Sequence, residues 1–462
     1  MRIRTVNALD LRSERNIKIQ FGSAKIESDN FFSVLVGENG TRKSQTLRDI
    51  LDISFSSATR LRIEGRNFSG KSGELVYWSN RGTERMTIPS KIIAVSGVAS
   101  DRFPSRLTSR LRSARVRDVY RYMGPKSDNN LISRAQSYSE IVRVIVASTE
   151  RIPMRLKQIG AAFELLPSIS ALRFEFDRIL APNRQPWTLD SLTLFLKEYE
   201  PSKVGKFALS EIVLKEQCVR LLNSRGKIVF NLDSLGVTHS GLSVKNHLKI
   251  CEFALECGAI RTSELYATGP GLSRVALADL SSGQWQILSS LLFVALAVED
   301  DTLILIDEPE NSLHPQWQRE YLTLLETAIS SCKGVHVVVA THSPLVASSL
   351  PPDVSEVIRL IRNRQGNVAA SEVKCGPFGW TADDILEQVF GLSSTRSQLF
   401  SKEMDRALKL FSLGDRSNRE LIRRVKALVE VSKSLPSDDI ARSVISTLQS
   451  VVLVAPADYS VK

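Results

Sequence analysis

The sequence predicts an α/β fold built on a parallel central sheet, and three observations predict it. An apolar run of buried-strand length, Phe31-Phe32-Ser33-Val34-Leu35-Val36, passes through a glycine-containing loop into a stretch with apolar residues at helical spacing. Two more β-rich apolar runs, Thr302–Ile306 and Val335–Ala340, restore a strand–helix alternation late in the chain. Between these ends lies a long segment whose pattern is mostly helical.

In chain order, Ile17–Phe21 alternates apolar and polar residues and reads as a strand, followed by the Phe31–Val36 run. Leu47, Ile50, Leu51 and Ile53 then recur at helical spacing, which predicts a helix from about Ser44 to Ile53. From Arg60 to Pro89 the pattern is of short strands separated by turns such as Asn67–Gly70 and Ser79–Gly82. Lys91–Val95 is another buried-strand candidate. These residues, 1–100, form one expected lobe. Residues 101–263 are expected to be a mostly helical insertion, punctuated by Pro153, Pro167, Pro182, Pro186 and Pro201. Residues 264–362 form the second lobe. Residues 363–462 turn polar and then helical, with Leu421, Ile422, Val425, Leu428 and Val429 as an amphipathic stripe suited to partner docking.

Composition narrows the class. At 462 residues the chain is long for one domain, and its 43% hydrophobic and 24% charged content are those of a globular protein. No apolar run approaches the ~20 residues of a membrane span, so no membrane role is expected. The five cysteines form no CxxC pair or zinc spacing and read as reduced, packing thiols of a cytoplasmic protein. The net charge is +11, and seven arginines crowd between Arg102 and Arg121: those two with Arg106, Arg110, Arg112, Arg115 and Arg117. Such a cluster suits nucleic-acid phosphates, an acidic protein partner, or a solvated helix face.

The chemistry lies in short motifs. Gly37-Glu38-Asn39-Gly40-Thr41-Arg42-Lys43-Ser44 sits between strand and helix, where backbone N–H groups and a helix N-terminus face phosphates. Lys43 would reach the β- and γ-phosphates of ATP and Ser44 would ligate Mg²⁺. Arg42 stands where the second glycine of this pattern belongs. It either narrows the phosphate cradle or offers its own guanidinium. Asp307, ending the Leu303–Ile306 strand, is placed to hold Mg²⁺, and Glu308 to act as general base on the attacking water. Upstream, Ser282, Gly283 and Gln284 open an apolar helix and form a small polar site for a γ-phosphate. Downstream, His342 follows a sheet strand and could reach the same phosphate or water.

In this order the motifs resemble the ABC-type ATPase superfamily, in the branch holding SMC-like and OLD-type (overcoming lysogenization defect) AAA ATPases. Gly37–Ser44 resembles its Walker A, Leu280–Gln284 its signature, Leu303–Glu308 its Walker B, Asn311–Pro315 its D-loop and His342 its switch histidine. The resemblance implies an ABC-type P-loop ATPase head with an antiparallel β subdomain. It also implies a head-to-head homodimer in which each signature closes on ATP held by the other P-loop. No glutamine near Lys91–Pro104 marks a Q-loop; Asp101 occupies that region. OLD-type chains often carry a nuclease, but Asp383-Asp384 and Asp438-Asp439 lack its strand-borne pattern. Tyr120–Lys126 with Asn129–Ser133, and Gly379–Leu386 with Phe390-Gly391, look similar to stand-alone ATPases of bacterial anti-phage systems, Septu-type or retron-associated, with PARIS-type as rival. That likeness implies control of a separate effector, such as a nuclease. The competing expectation is an SMC-like ATPase of DNA repair or maintenance acting directly on DNA through the arginine cluster.

Overall fold

A computed structural model of the chain describes residues 2–10, 15–21, 29–60, 72–78, 89–104, 119–126, 134–148, 151–181, 184–198, 212–233, 235–239, 250–255, 257–362, 368–373, 376–392 and 394–453. The chain divides into two compact units, Met1–Ile385 and Leu386–Lys462.

The first unit opens with β1 (Arg2–Asp10), β2 (Arg15–Gln20), β3 (Phe31–Val36), α1 (Lys43–Arg60), β4 (Ser72–Trp78), β5 (Lys91–Ser96) and β6 (Tyr120–Met123). Strands β2, β1 and β4 form a small antiparallel sheet in that order. The second stretch holds α2 (Arg134–Ala147), α3 (Leu156–Ala161), β7 (Ala171–Arg178), α4 (Leu189–Glu198), α5 (Ile212–Asn223), β8 (Ile228–Asp233), β9 (Gly236–His239), β10 (Ile260–Gly269) and β11 (Leu272–Ala276). The third holds α6 (Ser282–Ala297), β12 (Thr302–Asp307), α7 (Pro315–Ile329), β13 (His336–Ala340), α8 (Pro344–Ala347), β14 (Ser355–Arg362) and β15 (Val368–Glu372). Four helices follow: α9 (Ala382–Gln388), α10 (Gln398–Ser412), α11 (Arg419–Ser432) and α12 (Ile440–Val452).

The central sheet has seven strands in the order β15-β14-β3-β13-β12-β5-β6, parallel throughout except at its β15 edge. Every residue of β3, β5, β12 and β13 is buried, which explains why these strands read as continuous apolar runs rather than alternating ones. Helix α6 is buried on nearly every face, so its sequence carries no polar stripe. The parallel order sends the C-terminal ends of β3, β12 and β13 to one edge of the sheet, where loops can converge on a ligand.

The segment expected to be mostly helical departs from that expectation. Residues 101–263 also hold β6, β7, β8, β9 and the start of β10, and the last four join β11 in an antiparallel sheet ordered β11-β10-β7-β8-β9. The cause is period-two patterning: Leu172, Phe174 and Phe176 are buried, with Arg173 and Glu175 between them, and Ile228, Phe230 and Leu232 are buried, with the half-buried Val229 and Asn231 between them. The prolines drew attention to breaks, and this alternation was the stronger signal. The turns expected at Asn67–Gly70 and Ser79–Gly82 lie outside the described residues, as does Cys375; the other four cysteines are free and buried.

The second unit has its own small core. Ala407, Leu421, Val425, Leu428, Ile445 and Leu448 pack together from α10, α11 and α12, with Val429 partly buried against them; of the stripe anticipated on α11, Ile422 is not part of this core. Among the described residues, no helix is long and apolar enough to cross a membrane.

Candidate active site

The loop after β3 is shaped by positions that need special backbone. Gly37 has φ +153°, and a Cβ there would lie 2.4 Å from the Leu360 carbonyl oxygen, so β14 leaves no room for a side chain. Gly40 and Arg42 are left-handed, at φ +82° and +68°. The second glycine of the usual pattern thus has a conformational reason, and Arg42 meets the same requirement at a cost of about 1–2 kcal/mol. Thr41 is buried, its N–H and hydroxyl both donating to the Glu38 carbonyl at 3.3 and 2.8 Å, while Asn39 and Gly40 are exposed.

Lys43 begins α1 and turns back into this loop. Its ammonium donates to the Gly37 carbonyl at 2.7 Å and the Glu38 carbonyl at 3.1 Å. Burial lowers its pKa to about 8, against the opposing pull of Glu308, Glu310 and Asp307. The Ser44 hydroxyl donates to Asp307 Oδ1 at 2.9 Å, joining the P-loop to the end of β12. Burial raises Asp307 to about 7, a rise the Ser44 hydrogen bond opposes and Glu308 reinforces.

Glu308, the next residue, is left-handed at φ +48° and its N–H donates to the Ala340 carbonyl at 2.9 Å. This turn leaves its carboxylate one-third exposed and 3.7 Å from His342 Nε2. Burial, then Lys43, lower the His342 pKa to about 4. The imidazole is therefore neutral near pH 7, and its approach to Glu308 is not an ion pair. Lys43 Nζ lies 3.4 Å from His342 Nδ1. An ammonium has only protons to offer, so Nδ1 accepts and Nε2 carries the hydrogen, facing Glu308.

The structure brings Lys43, Ser44, Asp307, Glu308 and His342 into this one cluster. It does not bring Ser282, Gly283 and Gln284 there. Ser282 lines a separate cavity with Ser96, Gly97, Trp285, Gln286 and Asn311, to which no residue of the 37–44 loop contributes. Ser281 caps α6 in a capping box: the Gln284 N–H donates to Ser281 Oγ at 3.2 Å and the Ser281 N–H to Gln284 Oε1 at 3.0 Å. The Gln284 side chain is thus engaged in holding the helix start. Gly283 is forced by packing, since a Cβ there would stand 2.4 Å from the Ser312 carbonyl oxygen.

Asp101 is a structural hub. Buried, it accepts from the Phe103 N–H at 2.8 Å and the Tyr122 hydroxyl at 2.7 Å, and pairs with Lys126 at 3.1 Å. Five of the seven clustered arginines, Arg106 to Arg117, lie outside the described residues. His314 and Pro315 start α7, the His314 side chain accepting from the Gln316 N–H at 3.3 Å. Two polar residues that sequence reading left without a role join the site's periphery. Glu310 Oε1 accepts from the His342 N–H at 2.5 Å, and Gln318 Oε1 accepts from the Ser343 hydroxyl at 2.8 Å. Glu308-Pro309-Glu310 marks an acidic turn after β12 but does not disclose the partner of Glu310.

Residues 149–348 match the family described as "AAA domain, putative AbiEii toxin, Type IV TA system". This stretch, under half of the chain, is similar to an AAA domain. The match begins beyond residues 37–44, whose preceding strand β3 pairs with β13 inside the matched stretch. Septu protein PtuA of Bacillus thuringiensis is 34% identical over 109 residues, 23% of this chain and 26% of that protein. The Retron Vc95 probable ATPase of Vibrio cholerae serotype O1 biovar El Tor is 27% identical over 125 residues, 25% of this chain and 23% of that one. The chain thus spans about a quarter of the length of these curated relatives. The SMC head domain from Thermotoga maritima aligns with 81% of this chain and 100% of its own length, at 13% identity and TM-score 0.35.

Proposed function

We propose that this chain binds ATP with Mg²⁺ at the C-terminal edge of β3, β12 and β13, hydrolyses it slowly, and gates a separate effector through nucleotide-driven dimerisation. The observation that carries the reading is the joining of P-loop and strand β12 by Ser44 and Asp307 at 2.9 Å, with Glu308 and His342 beside them. On this reading the exposed N–H groups at Asn39 and Gly40 cradle phosphates, with Thr41 and Arg42 shaping the turn. The Lys43 ammonium exchanges its two carbonyl partners for the β- and γ-phosphates. Ser44 and Asp307 would hold Mg²⁺: both offer oxygen, the donor this cation takes, and a buried carboxylate near three others, Glu308, Asp101 and Glu310, gains from a positive charge. The ion supplies charge neutralisation on the phosphates. Glu308 takes a proton from the attacking water as general base, and the His342 Nε2–H donates to the γ-phosphate or to that water.

Ser282 and Gly283 stand apart from this cluster, which supports a composite site in which a second copy of the chain supplies them. The likeness to Septu and retron ATPases supports a defence system with a nuclease effector, released by a cue. Direct action on DNA is the rival, favoured by the +11 net charge. Co-expression with genomic neighbours tests the pair, using Glu308→Gln to hold the ATP-bound form. An effector that co-purifies and is lost on Lys43→Ala supports gating. Recovery of the chain alone, with salt-sensitive DNA binding, favours the rival.

A further inference from the structure

We propose that Glu310 is the positioning residue for His342, fixing the switch loop to the D-loop so that the imidazole meets Glu308 and Lys43 in one geometry. The inference rests on the ATPase reading of this site and assigns a role within it.

The loop after β13 is only three residues long before Pro344 starts α8, and two of the three are held from the D-loop side. The His342 N–H donates to Glu310 Oε1 at 2.5 Å. The Ser343 hydroxyl donates to Gln318 Oε1 at 2.8 Å, and Gln318 Nε2 in turn donates to the Leu313 carbonyl at 3.0 Å. A carboxylate accepting a backbone N–H makes a charge-assisted bond, stronger than the amide bond beside it. The imidazole's own contacts, 3.4 Å from Lys43 and 3.7 Å to Glu308, are long and weak. The backbone tie places the Cα–Cβ bond from which the ring reaches both partners. The D-loop end is itself fixed: the Asn311 side chain donates to the Gly97 carbonyl at 2.6 Å, and Gly283 packs on the Ser312 carbonyl. Glu310 Oε2 is buried without a close hydrogen-bond partner, a solvation cost that the His342 N–H and the Thr341 hydroxyl at this carboxylate offset in part. Burial also raises its pKa, against the His342 hydrogen bond.

The test is ATP turnover and nucleotide affinity for Glu310→Ala, Glu310→Gln, His342→Ala and the Glu310→Ala/His342→Ala double variant of the full chain. Glu310→Ala should lower kcat roughly tenfold or more with KM for ATP within about twofold, a split that global loosening would not produce. Glu310→Gln keeps an acceptor and should recover most of the loss. In the His342→Ala background the Glu310→Ala change should add nothing, because it acts through that ring. Additive losses in the double variant, or wild-type kcat in Glu310→Ala, would overturn the proposal while leaving wild-type turnover intact. A wild-type chain that binds ATP without turnover would instead overturn the hydrolytic reading, and this one with it.

Discussion

The two ends of the central sheet handle polar groups in opposite ways, and two histidines six positions apart make the contrast. At the N-terminal end of β13, His336 is fully buried and its ring is satisfied: Nδ1 accepts from the Ile3 N–H at 3.1 Å and Nε2 meets Ser33 Oγ at 2.9 Å. Ser33 passes the chain on to Glu356 at 2.6 Å. Phe21 and Phe31 flank the ring at centroid distances of 5.9 and 5.8 Å. Nearby, the buried ammonium of Lys91 is met by the Ala297 carbonyl at 3.0 Å and by Glu299. At the C-terminal end, the His342 ring has only long contacts, Asp307 is raised to about 7 and Lys43 lowered to about 8, and Arg42, Glu308 and Ser312 are all left-handed. Both ends hold a lysine lowered to about 8 and a left-handed residue, Asp301 at the N-terminal end. The C-terminal end differs in gathering three left-handed positions around Asp307, a carboxylate raised by burial and by acidic neighbours, where a ligand's positive charge can relieve it.

The contrast can be broken most sharply at His336. His336→Ala strips a buried N–H and a hydroxyl of their partner and opens space between two phenylalanines, so it should cost about 3–5 kcal/mol in urea unfolding. If stability is unchanged, the N-terminal network is not structural. A change of opposite sign is expected at Asp307. Its folded pKa, about 7, lies above the ordinary 3.8, so its stabilising share is complete below pH 3.8 and fades as pH rises through 7. The nucleotide-free protein should thus lose about 2 kcal/mol from this group between pH 5 and 8, and Asp307→Asn should flatten that slope. An unaltered pH profile of Tm in the variant would contradict the burial argument. Arg42→Gly should give the smallest effect. Relief of the left-handed strain exceeds the added freedom of the unfolded chain by about 0.5 kcal/mol, a gain of one or two degrees in Tm.

Much of this was legible in the sequence, for physical reasons that differ by residue. The parallel strands announced themselves because burial on both faces demands unbroken apolar runs, as in Leu303–Ile306. Lys43, Ser44, Asp307, Glu308 and His342 each directly follow or end such a strand or loop, so local order implied the cluster. The five-stranded sheet was missed because its alternation sits among prolines and helical stretches. Glu310 and Gln318 were missed because their partners, His342 and Ser343, lie 32 and 25 residues away, and no local pattern encodes that tie. Gly283 was read for a ligand, whereas the fold gives it a packing reason, the Ser312 carbonyl, a contact no local pattern encodes.

The most direct test of the proposed hydrolysis at this edge is single-turnover ATP cleavage, with protein in excess over ATP, for the wild type and Glu308→Gln, paired with nucleotide binding by each. The account predicts equal binding and a cleavage rate at least 100-fold lower in the variant, of the order that loss of a general base produces. Equal cleavage rates with equal binding would contradict it, and Glu308 would then be only the strained turn that ends β12.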